Sequence, residues 1–296
     1  MNQAKVLNFF GLLLIMFGIS FAIPLFVAIF YGESLIRVFG LGMSILVLMG
    51  FLSWFFTKDN KQELSLSDGF VITVLFWIVL SVSGSIPFIL FGFGVVDSFF
   101  ESMSGITTTG ATVIAGLDDL PKSLLIYRQL LQWLGGMGLI VLAIAVMPLL
   151  GIGGGQLFKT QTPGPMSEQR LTPRITSTAR ALWSIYFVLT VLCIFAYRLA
   201  GMSYFDAVSH AFSTVSIGGF STHDLSIGFF DSLSIEIVCI TFMLLSAMSF
   251  AVHYSAIYRK QVLKYFYDPE LRFFVSLLIV CLLYTSDAAD EAWGVV

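Results

Sequence analysis

Apolar residues run almost unbroken through six stretches, roughly 6–30, 35–56, 70–92, 124–150, 181–201 and 233–258, and polar residues gather between them. A helix needs ~17–25 residues to cross ~30 Å of hydrocarbon. The pattern therefore predicts at least six crossings. The first run lies behind one lysine, exceeds a signal-peptide core and is not followed by a small-residue cleavage site, so it reads as a retained helix.

Two of the intervals carry the same pattern. Laid over one another without a gap, 97–112 and 206–221 align Asp97 with Asp206, Ser104 with Ser213, Ile106 with Val215, Thr107 with Ser216 and Gly110 with Gly219. Each copy has an acid, about ten residues of helical character and a Thr/Ser-rich stretch closed by glycine. Ten helical residues reach only ~15 Å, half the hydrocarbon depth, so each copy predicts a helix that dips in and turns back. Non-helical backbone at membrane depth must be buried in protein or line water. The chain thus reads as a membrane pore.

The predicted fold is an all-α polytopic membrane protein built from helix–pore-loop–helix repeats, two of them complete, preceded by a two-helix segment. The boundaries read as follows: a two-helix membrane segment over 1–66, a first repeat over 67–155, a cytoplasmic linker over 156–178 and a second repeat over 179–260. The start of a third repeat follows over 261–284, then an unmatched tail over 285–296. Gly153, Gly154, Gly155, Pro163, Pro165 and Pro173 mark the linker region. The apolar run 273–284 is too short to cross. Asp287, Asp290 and Glu291 beyond it would each cost about 2.5–3.5 kcal/mol at a helix centre, which predicts a crossing that cannot finish, a truncated or frame-shifted reading, and a chain that does not conduct alone.

Composition agrees, with 57% hydrophobic and 11% charged residues and a mean hydropathy of +0.93. Charge sets the orientation. With the N-terminus cytoplasmic, eleven cationic residues fall inside and only Arg37, Lys122, Arg128 and Arg198 outside. The same topology collects Glu33, Asp97, Glu101, Asp118, Asp119, Asp206, Asp224, Asp231 and Glu236 on the outer face, which attracts cations. Cys193, Cys239 and Cys281 read as buried small hydrophobes.

The candidate chemistry lies in the glycine loops. A cation such as K⁺ surrenders its water only when several oxygens replace it, and backbone carbonyls supply these without a trapping charge. The predicted ligands are the carbonyls of Thr107, Thr108, Thr109, Gly110, Val215, Ser216, Ile217, Gly218 and Gly219. Glycine allows a left-handed backbone and keeps the lumen clear, while hydroxyls hold the loop from behind. Asp97 and Asp206 read as N-caps of the dip helices. Glu101 and His210 fall one turn later, His210 as a polar contact that could titrate near neutrality.

The small residues around Gly135, Gly136 and Gly138 predict close helix packing. His223-Asp224 is a dyad by adjacency only. The glycines at 151–155 fail the nucleotide fingerprints, and no HExxH, GxSxG or facing aspartate pair indicates a hydrolase. An enzyme is not expected. The alternative is a non-conducting membrane scaffold that binds a regulator through 151–180.

The two dip-and-filter segments, the stretch from Tyr127-Arg128-Gln129 to Gly138 and the linker Pro163-Gly164-Pro165 resemble the Trk-type potassium-uptake subunits of the Trk/Ktr/HKT superfamily, over about residues 1–283. The resemblance implies four repeats around one axis in a bacterial inner membrane and gating by a cytosolic nucleotide-binding RCK-type (TrkA-like) ring. It also implies K⁺ as the transported ion, because the first and second filter positions are Gly110 and Gly219. The expected partners are the bilayer, K⁺, that ring and a second copy in a homodimer. Neither a nucleic acid nor a covalently bound cofactor is expected.

Overall fold

Twelve α-helices and two short 3-10 turns make up the computed structural model, which describes residues 3–58, 66–150 and 175–293. The linker expected over 156–178 and its proposed regulator surface lie almost wholly outside the described residues. Among the described residues there is no strand. Among the described residues, four helical runs are both long and apolar enough to cross a membrane, Gln3–Tyr31, Ile36–Thr57, Asp68–Phe91 and Arg180–Leu199, with Leu233–Ala247 and Val252–Tyr258 as a fifth if that bent pair is one span. Many of their large apolar side chains, such as Phe26, Phe30, Phe56, Phe195 and Leu199, are exposed, as lipid-facing positions are.

The first run is α1 (Gln3–Ser20) and α2 (Ala22–Tyr31), divided by a single turn residue at Phe21. It packs on α3 (Ile36–Thr57) where glycine meets glycine. A Cβ on Gly11 would stand 2.8 Å from the Gly50 carbonyl oxygen, and one on Gly50 would stand 2.6 Å from that of Gly11. Without side chains there, the backbones come close enough for Ser53 to donate to the Leu7 carbonyl at 2.8 Å. The connection between α2 and α3 reaches the first repeat. Its Glu33 accepts the backbone N–H groups of Lys122 (2.7 Å) and Ser123 (3.1 Å), satisfying free donors at the start of the next long helix.

The first repeat is α4 (Leu66–Phe91), the short α5 (Val95–Ile106), the turn Leu117–Asp119 and α6 (Lys122–Leu150). The second begins with α7 (Ile175–Leu199), the short α8 (Tyr204–Val215) and the turn Ser226–Phe230, and continues into α9 (Leu233–Ala247). Both short helices have 12 residues, about 18 Å, which is insufficient to span. Aromatic and hydroxyl contacts join the repeats. Trp133 of α6 stacks on Phe212 of α8 at 5.1 Å between ring centroids, and its indole N–H donates to Thr190 of α7 at 3.0 Å.

One expectation about the later elements needs correction. The run 233–258 is not one unbroken crossing, because the helix stops at Ala247 and resumes as α10 (Phe250–Tyr258). The chain is helical through and beyond the apolar run 273–284 as α12 (Pro269–Trp293), which is not among the helices apolar enough to cross a membrane. The chain divides into a unit Met1–Leu244 and a unit Leu245–Val296. The second is organised around His253, whose ring nitrogens pair with the Tyr265 hydroxyl at 2.7 Å and the Leu245 carbonyl at 2.8 Å. In the same unit α11 (Lys264–Tyr267) leads to Asp268, which caps α12 by accepting the Leu271 N–H at 3.1 Å, with Pro269 at the first helical position.

Candidate functional site

The two short helices end in the same motif, bond for bond. At the end of α5, the N–H groups of Thr107, Thr108 and Thr109 donate to the carbonyls of Met103, Gly105 and Ser104, at 2.9, 3.0 and 2.9 Å. At the end of α8, those of Ser216, Ile217 and Gly218 donate to Phe212, Thr214 and Ser213, at 3.3, 3.1 and 2.8 Å. This is the Schellman arrangement, which satisfies carbonyls that would otherwise be stranded at a buried helix end. It requires a left-handed residue just past the cap. Thr108 (φ 55°) and Ile217 (φ 54°) take that position although both are β-branched. Two residues further on, Gly110 (φ 78°) and Gly219 (φ 87°) are left-handed again.

The hydroxyls hold the loops as the sequence suggested. Thr107 donates to the Met103 carbonyl at 2.7 Å and pairs with Thr109 at 2.8 Å, and Ser216 donates to the Phe212 carbonyl at 2.8 Å. The loops lie against each other. A Cβ on Gly110 would overlap the Gly218 carbonyl oxygen, whereas one on Gly219 would meet nothing within 4 Å. Val215, Ser216 and Gly218 are buried, Thr107, Thr108 and Gly110 half-buried, and Thr109, Ile217 and Gly219 exposed.

Helix α6 backs both loops, and most of its role was not read from the sequence. A Cβ on Gly135 would collide with the Ile106 backbone, and one on Gly136 would lie 2.8 Å from the Tyr186 hydroxyl and 3.1 Å from Ser216 Cβ. The glycines at 135–136 therefore do serve close packing, and what they pack against is the start of each loop. One to two turns earlier come Arg128 and Gln132, both fully buried. Gln132 donates to the Gly218 carbonyl at 2.7 Å and accepts the Phe220 N–H at 3.0 Å. Arg128 donates to Thr112 Oγ1 at 3.1 Å and to the Ser221 carbonyl at 3.0 Å, positions equivalent in the two repeats. Two polar residues four apart in an apolar run were the available signal.

Glu101 and His210 occupy equivalent positions and grip equivalent hydroxyls. Glu101 accepts Thr112 Oγ1 at 2.9 Å and pairs with Arg128 at 2.7 Å, both side chains fully buried. His210 Nε2 meets Ser221 Oγ at 3.0 Å, and its Nδ1 meets the Asp206 carbonyl at 2.9 Å. That carbonyl can only accept, so Nδ1 carries the hydrogen and the neutral ring satisfies both partners. His210 is a structural contact.

The helix-capping expectation is corrected. The residues at the cap position are Gly94 and Ser203, and Asp97 and Asp206 stand three residues inside. In α8 this forms a reciprocal box, with Ser203 Oγ accepting the Asp206 N–H at 3.1 Å and donating to its carboxylate at 2.7 Å. Asp206 also accepts Thr222 Oγ1 at 2.9 Å. His223 and Asp224 are not partners. His223 donates to Asp118, and Asp224 accepts the Leu117 N–H at 3.2 Å, so the pair latches the Leu117–Asp119 turn of the first repeat to the second repeat. The hydrogen bond from His223, partly opposed by burial, holds the Asp118 carboxyl below its ordinary range. Among the described residues, no three His, Cys, Asp or Glu side chains gather as a metal-binding group. A cation at these loops would meet backbone and hydroxyl oxygen.

Paired short helices that present glycine loops to one another, inside a frame of long apolar helices, define a helical membrane protein. Comparison with known proteins agrees. The TrkH family, described as cation transport protein, matches residues 35–285, and the chain belongs to that family. It is 48% identical over 289 residues to the Trk system potassium uptake protein TrkH of Halomonas elongata, covering 97% of this chain and 60% of the relative. It is 44% identical over 290 residues to TrkH of Escherichia coli K12, covering 96% and 60%. The crystal structure of the potassium transporter TrkH from Vibrio parahaemolyticus superposes with a TM-score of 0.83 at 45% identity, covering 96% of this chain and 58% of that one. The chain thus spans about 60% of the length of the curated relatives it matches.

Proposed function

We propose that this chain supplies two quarters of a K⁺ uptake pore, with K⁺ as the transported substrate selected by backbone carbonyls of the two loops. The observation that carries the reading is the repetition of one loop geometry, with left-handed residues at Thr108/Ile217 and Gly110/Gly219, in two copies that touch at Gly110 and Gly218. A hard, weakly hydrated cation fits uncharged oxygen donors on a lumen kept free of side chains. The open space beside Gly219 suits that lumen.

Of the nine predicted ligands, the Gly218 carbonyl is already engaged by Gln132. The reading rests on Thr107, Thr108, Thr109 and Gly110 in one loop and Val215, Ser216, Ile217, Gly218 and Gly219 in the other, since a carbonyl oxygen that accepts one hydrogen bond keeps a second lone pair. The naming of the relatives for potassium uptake supports K⁺ over other cations. A cytoplasmic N-terminus rests on the bias of lysine and arginine, and placement in a bacterial inner membrane on the likeness to the relatives from Halomonas and Escherichia. A cytosolic RCK-type ring and a homodimer belong to the same proposal, supported by the Trk system to which the relatives' names refer.

Uptake of ⁸⁶Rb⁺ by cells lacking their own K⁺ transport, given a complete protein that carries this segment, tests the proposal. Selective uptake over Na⁺ is expected. Absence of uptake by a protein that reaches the membrane favours a non-conducting scaffold.

A further inference from the structure

We propose that Gln132 is a positioning residue for ion selection, holding the second filter loop from a helix of the first repeat. The inference rests on the pore reading above. Its side chain is fully buried and makes two hydrogen bonds to the backbone on either side of Gly219, donating to Gly218 O at 2.7 Å and accepting from Phe220 N at 3.0 Å. The amide thus pairs with the loop as a neighbouring strand would. Its orientation is dictated, because the flipped amide would set donor against donor and acceptor against acceptor. The residue bracketed between these bonds is the one whose φ of 87° opens onto free space.

This contact also explains Gly218. It is absent from the left-handed residues, so its backbone does not demand glycine. A Cβ there would instead overlap the Gln132 amide. The equivalent residue in the first loop is Thr109, which has a side chain and pairs with Thr107 of its own loop. One loop is therefore braced internally and the other from the adjacent repeat. Rotation of the Gly218 peptide, which Gln132 opposes, would turn the carbonyls beside Gly219 and change the spacing of oxygens available to an ion. Discrimination between K⁺ and Na⁺ depends on that arrangement.

The experiment uses a full-length protein carrying this segment, with Gln132→Met and Gln132→Glu variants, and measures inhibition of ⁸⁶Rb⁺ uptake by Na⁺ per molecule in the membrane. Methionine keeps the bulk and loses both hydrogen bonds, while glutamate keeps an acceptor for Phe220 but sets a second acceptor against the Gly218 carbonyl. The expected result is a loss of Rb⁺-over-Na⁺ preference of about tenfold for methionine, the scale of hydrogen-bond energies in a protein, and a loss at least as large for glutamate. Changed uptake capacity with unchanged preference overturns the inference and leaves the pore reading intact. Failure of both variants to reach the membrane assigns Gln132 to the scaffold and likewise overturns it. If the parent protein shows no preference for Rb⁺ over Na⁺, the pore reading fails with it.

Discussion

Glu101 and Arg128 meet at 2.7 Å with neither side chain exposed, and the arginine extends past the pair to touch both repeats. One guanidinium N–H group reaches Thr112 and another the Ser221 carbonyl, while its carbon lies 4.4 Å from the centre of the Phe220 ring. Each charge is thus compensated on several sides, the condition under which a buried pair is tolerated. Counted by sequence, the two belong to the outer face. Buried against each other, they cancel, and the acidic excess of that face is unchanged.

Breaking this pair should be expensive. Glu101→Gln or Arg128→Met leaves one buried charge without its partner, at about 3–5 kcal/mol, and the double variant should lose less than the sum of the two. Thermal aggregation of the detergent-solubilised proteins reads this out. Strictly additive losses would show that the two side chains act independently.

Gly110→Ser should weaken discrimination of K⁺ over Na⁺ by about 1–3 kcal/mol, through loss of backbone freedom and displacement of a well-placed ligand. The new Cβ would also strike the Gly218 carbonyl, disturbing the second loop as well as the first. Gly219→Ala meets nothing within 4 Å and should be the milder change, with backbone strain alone to bear. Competition of Na⁺ against Rb⁺ uptake ranks the two, and the opposite ranking contradicts the loop-to-loop contact.

Glycines on α6 and α3 should respond differently to alanine. Gly135→Ala drives a methyl group into the Ile106 backbone and should abolish accumulation in the membrane. Gly40→Ala meets nothing within 4 Å and should change stability by no more than about 1 kcal/mol, the helix-propensity difference. Membrane levels of the two variants decide this. Equal levels would mean that α6 does not back the first loop as closely as described.

The latch between Asp118 and His223 should be sensitive to acid. A carboxylate held below its ordinary range contributes stability that is fully present above its unfolded pKa of ~3.9 and lost as pH falls through the lower folded value. The melting-temperature gap between the parent protein and Asp118→Asn should therefore shrink as pH drops below about 4. A gap that widens with acid would place the stabilising proton on the wrong group.

What the sequence determined by itself was whatever depends on neighbours along the chain. Runs of apolar residues specify crossings, because a helix in lipid must satisfy its own backbone and present hydrocarbon to hydrocarbon. The ungapped match of 97–112 to 206–221 located both glycine loops, and glycine at 110 and 219 announced left-handed backbone. The cap positions at Gly94 and Ser203 were missed because Asp is as acceptable three residues inside a helix as at its cap.

Tertiary structure decided everything that joins the repeats. Whether Arg128 faces water or Glu101, whether His223 pairs with the adjacent Asp224 or with Asp118 in the other repeat, and whether Gln132 touches anything depend on contacts between residues 27 to 105 positions apart. Local pattern is silent there. A buried polar side chain takes whichever partner packing brings within hydrogen-bond distance, since leaving it without one costs more than the bond itself yields. That is why the loops and the helix behind them were legible in the sequence and the side-chain contacts by which that helix holds them were not.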